Sequence, residues 1–398
     1  MTIPNLAAFG FDADYQAVYD LAYRYAREEL YPLCERMDNE DWFPEEAFRA
    51  LAAQGLLGVT VPAAYGGAGM DVLAQCFIAE AVAYWNHAIA AGMLASDNLC
   101  LHNLVRNADE AQKREYLPRF CDGSLIGALG MTEPGAGSDA LGSMATTARR
   151  DGDDYVLNGR KLFITNGPVA DVLLVYAKTA PEKRQKGISA FIVEKGFPGF
   201  SVAQKLDKMG WRGSPTGELV FDDCRVPAGN LVGAENAGHV VMMSGLDIER
   251  VIGAFFDIGM AQRAFDLALD YATQRKQFGR AIGEFQMIQA MLADMYTEIE
   301  AMRALTYQVG REIVDLPQGE GGRGAIHKRS AAALLAAGRG AMRVLDQAVQ
   351  IHGGMGFMRE MEVNRLYRSG KVGEIAAGSN QIRQVIIAGE LLREAAAG

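Results

Sequence analysis

Met131-Thr132-Glu133-Pro134-Gly135-Ala136-Gly137-Ser138-Asp139 stands at the exit of a strand pattern and opens the one part of the chain where the hydrophobic period is two. Two glycines flanking an alanine let the backbone approach a ligand and turn several N–H groups inward as an anion nest, and Thr132 and Ser138 add hydroxyls. Taken alone, the glycines are read more simply as a tight turn. The string is neither Gly-x-Gly-x-x-Gly leading into a helix nor a Walker loop, so the dinucleotide fingerprints do not apply.

Outward from this string, β-rich segments at 171–177 and 188–193 alternate with turn signals. These are Asp151-Gly152-Asp153, Asn158-Gly159, Asn166-Gly167-Pro168 and Phe197-Pro198-Gly199, and they predict an antiparallel sheet or small barrel. Both flanks carry helical periodicity instead. Before the sheet it covers 15–31 (closed by Pro32), 43–56, 72–86 and a run to Leu104; after it, 240–275, 284–314, 324–350 and 381–396, with a polar Gly-rich connection at 316–324. The fold class is therefore α+β, mostly α: an N-terminal helical domain over 1–124, a middle antiparallel β domain over 125–235 and a C-terminal helical bundle over 236–398.

At 398 residues and 49% hydrophobic content the chain is long enough for two or three domains with a large core. Thirty-nine Lys and Arg against 49 Asp and Glu give a net charge of −10, which opposes nucleic acid or anionic lipid as a partner. The five cysteines are scattered, without a Cys-x-x-Cys or a histidine at ligand spacing, so neither a disulfide framework nor a metal site is expected. Asp12 and Asp14 precede the first basic residue, Arg24, and no apolar run approaches the roughly 18 residues that span a bilayer. A cytoplasmic protein is the resulting expectation.

Two further strings use the 45 glycines. Gln350-Ile351-His352-Gly353-Gly354-Met355-Gly356-Phe357 has more glycines than a helix C-cap requires, which leaves a hinge or a close ligand approach. Arg275-Lys276-Gln277-Phe278-Gly279 clusters cations after a helix, as a dipole complement or a phosphate contact.

Together, in this order on an α, β, α chain, the three strings resemble the acyl-CoA dehydrogenase family. The resemblance extends over essentially the whole chain, through Lys161-Leu162-Phe163-Ile164-Thr165, Lys208-Met209-Gly210-Trp211-Arg212-Gly213-Ser214 and Val226-Pro227. It implies that the C-terminal bundle has four helices, that the enzyme is a homotetramer built from dimers, and that FAD lies between the β domain and the bundle. Leu129, Met131, Thr132, Gly137, Ser138, Phe163, Ile164 and Thr165 would meet the flavin half. Arg275, Phe278, Gln286, Gln350, Gly353, Gly354, Ser379 and Gln381 would meet the remainder, partly from a neighbouring subunit.

Removing the α-proton of a thioester while hydride leaves the β-carbon for flavin N5 needs a carboxylate in a dry site. Many relatives place it in a C-terminal loop, which here reads Ile375-Ala376-Ala377-Gly378-Ser379-Asn380-Gln381, with alanine at the expected position. Met243-Ser244-Gly245-Leu246-Asp247-Ile248-Glu249-Arg250 instead resembles the isovaleryl-CoA dehydrogenase subgroup, in which the glutamate at position 249 is the base. On its own, a Glu beside an Arg on a helix reads as a solvated ion pair. The resemblance also implies that the Ala377 backbone N–H stabilises the enolate oxygen, and that Ser138, Asp247, Arg250, Ala376 and Gly378 contact substrate. Glu374 is the rival carboxylate.

The implied activity is introduction of a 2,3 double bond into a short or branched-chain acyl-CoA, with electron transfer flavoprotein as acceptor. Where the subgroup carries a Gly-Gly-Pro-like stretch, this chain has Gly253-Ala254-Phe255-Phe256-Asp257-Ile258-Gly259, which is expected to alter the acyl pocket. A ring-bearing or polar acyl-CoA is therefore the alternative substrate. An acyl-CoA oxidase, a desulfinase-like protein and a nucleic-acid-binding damage-response protein are the competing readings.

Overall fold

The computed structural model describes residues 4–314 and 321–397. In the N-terminal part, α1 (Ala13–Tyr25) runs on through a wider helical turn, and α2 (Val72–Met93) starts where Asp71 accepts from the Ala74 amide at 3.0 Å. The sequence pattern broke this helix at Asn86, and the structure kinks there: Asn86 leaves helical φ/ψ, and its Oδ1 accepts from the Ile89 amide at 3.0 Å, so the second half is capped anew. Every residue of α2 is buried, as expected of a helix apolar all round. α3 (Glu110–Cys121) follows with a capping box from Asp109 and Gln112.

The middle part is a sheet of β1 (Gly127–Gly130), β2 (Thr147–Asp151), β3 (Asp154–Thr165), β4 (Val172–Lys178), β5 (Ile188–Glu194), β6 (Phe200–Lys205), β7 (Thr216–Pro227) and β8 (Leu231–Val232). The order is β6-β7-β3-β2-β4-β5-β8, with β1 added on β4. The expectation of a wholly antiparallel sheet needs correction, because β1 pairs parallel with β4 and the bridge between Thr147 and Lys178 is also parallel. β1 reaches β4 only after the β2–β3 hairpin has intervened, and such a crossover permits a parallel neighbour. Asn158-Gly159 is likewise not a turn. It lies inside β3 at a register shift against β7, so the two residues make a bulge.

Beyond the sheet come α4 (Gly238–Gln274), the small hairpin β9 (Lys276–Gln277) and β10 (Arg280–Ala281), α5 (Gln286–Val314), α6 (Gly324–His352), α7 (Glu362–Gly370) and α8 (Asn380–Ala397). The four long helices are α4, α5, α6 and α8. Part of the predicted 316–324 connection lies outside the described residues. Among those described, no helix is long and apolar enough to cross a membrane, and no cluster of His, Cys, Asp or Glu could hold a metal ion.

Candidate active site

The Met131 to Asp139 string is held from beneath by a buried ion pair. Glu133 and Ala136 exchange backbone hydrogen bonds at 3.1 Å, and the Glu133 carboxylate accepts from the Ala145 amide (2.5 Å), the Thr146 amide (3.0 Å) and Lys161 Nζ (2.8 Å). Lys161, fully buried on β3, also donates to Met131 O at 3.1 Å. Burial works to raise the Glu133 carboxyl, but Lys161 and the hydrogen bonds hold it below its ordinary value. Burial takes Lys161 down to about 8 in spite of its partner.

The outer rim of the turn is open. Gly135, Gly137 and Ser138 are exposed, and a Cβ on either glycine would meet no protein atom within 4 Å. Beside it, a bulge in β3 holds Phe163 at φ 61° and leaves it 64% exposed, a strained backbone and an uncovered aromatic in one residue. Ile164 beneath it is buried, and Asn166 Nδ2 donates to Gly92 O (2.8 Å) and Gly127 O (3.1 Å), tying the end of β3 to α2 and β1. An open nest beside an exposed ring fits a planar aromatic group with an anionic tail, as FAD has.

Glu249 projects from α4 with no hydrogen bond or ion pair among the described residues. Burial pushes its carboxyl up to about 7, against the pull of Arg250 and Arg383, although a part of the side chain stays accessible. From the sheet, the fully buried Tyr176 presents a hydroxyl without a partner, close enough to feel the Glu249 charge. Arg383 on α8, also fully buried, ties the start of that helix to the loop before it. Its Nη1 donates to Gly373 O and Asn380 Oδ1, both at 2.8 Å, and its Nη2 to Ala376 O at 2.5 Å. Ala377 follows at φ 54° and Gly378 at φ 83°. Two successive left-handed residues turn the chain sharply, and the Ala377 N–H has no protein acceptor among the described residues.

The rival carboxylate is engaged elsewhere. Glu374 accepts from Lys371 Nζ (2.5 Å) and Asn380 Nδ2 (3.0 Å) and lines a cavity of about 800 Å³ with Asp294, Glu298, Arg339 and Arg343, to which Glu249 does not belong. Asp247 offers a different geometry from the expected substrate contact. Fully buried, it accepts from Arg250 Nη1 (2.8 Å), His327 Nδ1 (2.7 Å), Ser330 Oγ (3.0 Å) and the Gly322 amide (2.7 Å), so it anchors α4 to the start of α6. Phe255 and Phe256 also depart from expectation. Phe255 stacks on Tyr307 at 5.1 Å and meets Phe77 edge-on in the core between helices, and the buried Phe256 meets Trp211, from the loop between β6 and β7, at 5.4 Å.

The third and second strings meet at one end of the bundle. Tyr271 of α4 stacks on His352 of α6 at 4.3 Å, which gathers Arg275, Phe278, Gln286, Gln350, Gly353 and Gly354, all exposed. Phe278 is 94% exposed at φ 53°. No hydrogen bond or ion pair among the described residues joins this group to the Met131 to Asp139 turn. Sequence reasoning missed the Lys161–Glu133 pair, Arg383 and Tyr176, and placed Asp257 only by its neighbourhood in the 253–259 stretch. An inward-facing lysine on a strand was the one signal that could have drawn attention to the first.

The family models for the acyl-CoA dehydrogenase N-terminal, middle and C-terminal domains match residues 12–124, 128–224 and 236–392. The isovaleryl-CoA dehydrogenase of Solanum tuberosum is 42% identical over 98% of this chain and 94% of its own length. The 2-methylacyl-CoA dehydrogenase of the same plant is 44% identical over 93% and 88%. Among solved structures, one of the electron transferring flavoprotein of Acidaminococcus fermentans aligns with TM-score 0.92 and 37% identity over 96% of this chain and 99% of that one. Butyryl-CoA dehydrogenase from Megasphaera elsdenii aligns with TM-score 0.91 and 36% identity over 98% and 100%. The chain belongs to the acyl-CoA dehydrogenase family, and is an FAD-dependent oxidoreductase of that class. Both potato relatives are named as mitochondrial, so the cytoplasmic expectation draws no support from them.

Proposed function

We propose that this chain introduces a 2,3 double bond into a short or branched-chain acyl-CoA, with Glu249 as the base. The observation that carries the proposal is the pairing of an unpartnered carboxylate raised to about 7, within the field of Arg383, with a loop bonded to Arg383 whose Ala377 N–H is equally unclaimed among the described residues. Glu249 takes the α-proton, and near neutral pH it is poised between its two protonation states. The Ala377 N–H donates to the thioester oxygen, where enolate charge gathers, and needs no side chain to do so. Bound FAD supplies the acceptor for the β-hydride.

Leu129, Met131, Thr132, Gly137, Ser138, Phe163, Ile164 and Thr165 would hold the flavin half of the cofactor. Arg275, Phe278, Gln286, Gln350, Gly353, Gly354, Ser379 and Gln381 would meet the rest, in part from a second copy, which makes a homotetramer of dimers the working assembly. Their separation within one chain and their exposure support that reading. Ser138, Arg250, Ala376 and Gly378 would contact the acyl-CoA, and Asp247 would act behind Arg250. Electron transfer flavoprotein is the proposed acceptor, supported by the likeness to the Acidaminococcus fermentans chain.

Anaerobic titration of the holoenzyme with a panel of acyl-CoAs, read as loss of flavin absorbance, tests the proposal. Short and branched acyl-CoAs should bleach the flavin, Glu249→Gln should abolish bleaching, and Glu374→Gln should leave most of it. Bleaching that survives in Glu249→Gln and is lost in Glu374→Gln would overturn the assignment.

A further inference from the structure

A second buried carboxylate shares a cation with the base. Asp257 lies on α4 eight residues past Glu249, about 12 Å along the axis at the rise of an α-helix. It is 3% exposed, and its Oδ2 has no hydrogen-bond partner. A Cβ on Gly373 would stand 2.7 Å from Asp257 Oδ1 and 2.8 Å from Oδ2, so the carboxylate fills the space that any side chain at 373 would need. The carbonyl of that glycine accepts from Arg383, whose Nε is unpartnered and whose other hydrogen bonds go to uncharged oxygens. Among the described residues the guanidinium therefore touches no carboxylate, and its charge acts at longer range on Asp257, Glu249 and Glu374.

We infer that Asp257 is a positioning residue for the base, which sets through Arg383 how much positive charge reaches Glu249 and braces the Gly373 side of the loop that carries Ala377. The inference rests on the assignment of Glu249 above. A cation bonded only to carbonyls and an amide favours ionised Glu249, and a second carboxylate within its field offsets that effect. The groups facing Glu249 are Arg250 on its own helix, Arg383 on α8 and Tyr176 on β4; those facing Asp257 are Arg383 and, from the loop, Glu374. Burial pushes Asp257 up to about 7 against the pull of Arg383, so the two carboxylates change charge over one pH range.

The test is the pH profile of kcat/KM for the holoenzyme with isovaleryl-CoA. Asp257→Asn keeps the shape, frees the Arg383 charge and should move the acid limb to lower pH, by about half a unit or more. Arg383→Gln should move it to higher pH, and the double variant should follow Arg383→Gln, because Asp257 then has nothing to act through. Limbs that stay in place while kcat falls, or that move the same way in both single variants, would overturn the inference. Should Asp257→Asn not fold with FAD, Asp257→Ser carries the same expectation. A wild-type limb that survives in Glu249→Gln would instead defeat the base assignment, and shows without any change at Asp257.

Discussion

Glu249→Gln should abolish activity and at the same time make the folded chain more stable above pH 7. The folded carboxyl sits at about 7 against an ordinary 4.5, raised by burial. A raised carboxyl contributes stability below its unfolded value and loses it as pH climbs through the folded one. Between about pH 4.5 and 7 the native state thus loses stability because Glu249 ionises in the unfolded chain while it stays protonated in the folded one, with an upper limit on the order of 3 kcal/mol at 1.36 kcal/mol per pH unit. Partial exposure of the side chain reduces this to about 1–2 kcal/mol. Glutamine has no charge to bury and escapes the loss. Thermal and urea unfolding at pH 5 and pH 8 measures the effect: the variant should gain at pH 8 and match the wild type at pH 5. An equal effect at both pH values, or a loss at pH 8, would show that ionised Glu249 has a partner in the fold and would refute the reasoning.

Lys161→Met should cost about 3–5 kcal/mol, because it leaves the Glu133 carboxylate buried without its cation, and should release FAD on dilution. Urea unfolding should then recover most of the loss in Lys161→Met/Glu133→Gln. Asp247→Ala should cost a similar amount, since it leaves Arg250 and His327 3.3 Å apart with no anion between them, and a melt at pH 7 reads it directly. Phe255→Ala should cost about 3–5 kcal/mol while leaving the order of preference among acyl-CoAs unchanged. A changed order in the titration would place Phe255 at the acyl group after all.

The α, β, α order was legible because periodicity changes abruptly at the sheet, and helix ends fell within a few residues of Gln350 and Gln381, whereas the chain stays helical through Pro32 as far as Glu40. Asn86 marked a real break between two helical runs, whereas Asn158-Gly159 misled, because a long strand absorbed its turn residues as a bulge. The parallel β1–β4 pair had no signal, since pairing partners distant in sequence leave no local pattern. At the site, Glu249 and Ala377 were read only through resemblance, and Arg383 was hidden because a buried arginine on a C-terminal helix looks like any surface cation in sequence. The Lys161–Glu133 pair joins residues 28 apart, whose meeting depends on the turn that they themselves fix.

The proposed placement of the base on α4 has a structural consequence. A loop glutamate must hold its own backbone still, whereas Glu249 inherits the rigidity of a 37-residue helix anchored to α6 through Asp247 and packed on α2 through Phe255. The loop is then left to aim a single N–H, and Arg383 holds it to that task through the Gly373 and Ala376 carbonyls. The proposed base and oxyanion donor thus sit on separate elements, and one buried cation bonds the loop and acts on Glu249 at longer range. Disturbing that cation must alter the proton affinity of Glu249 and the direction of the Ala377 N–H together, so Arg383 variants should lose more kcat than a pH shift alone explains, and the excess should persist on the pH plateau.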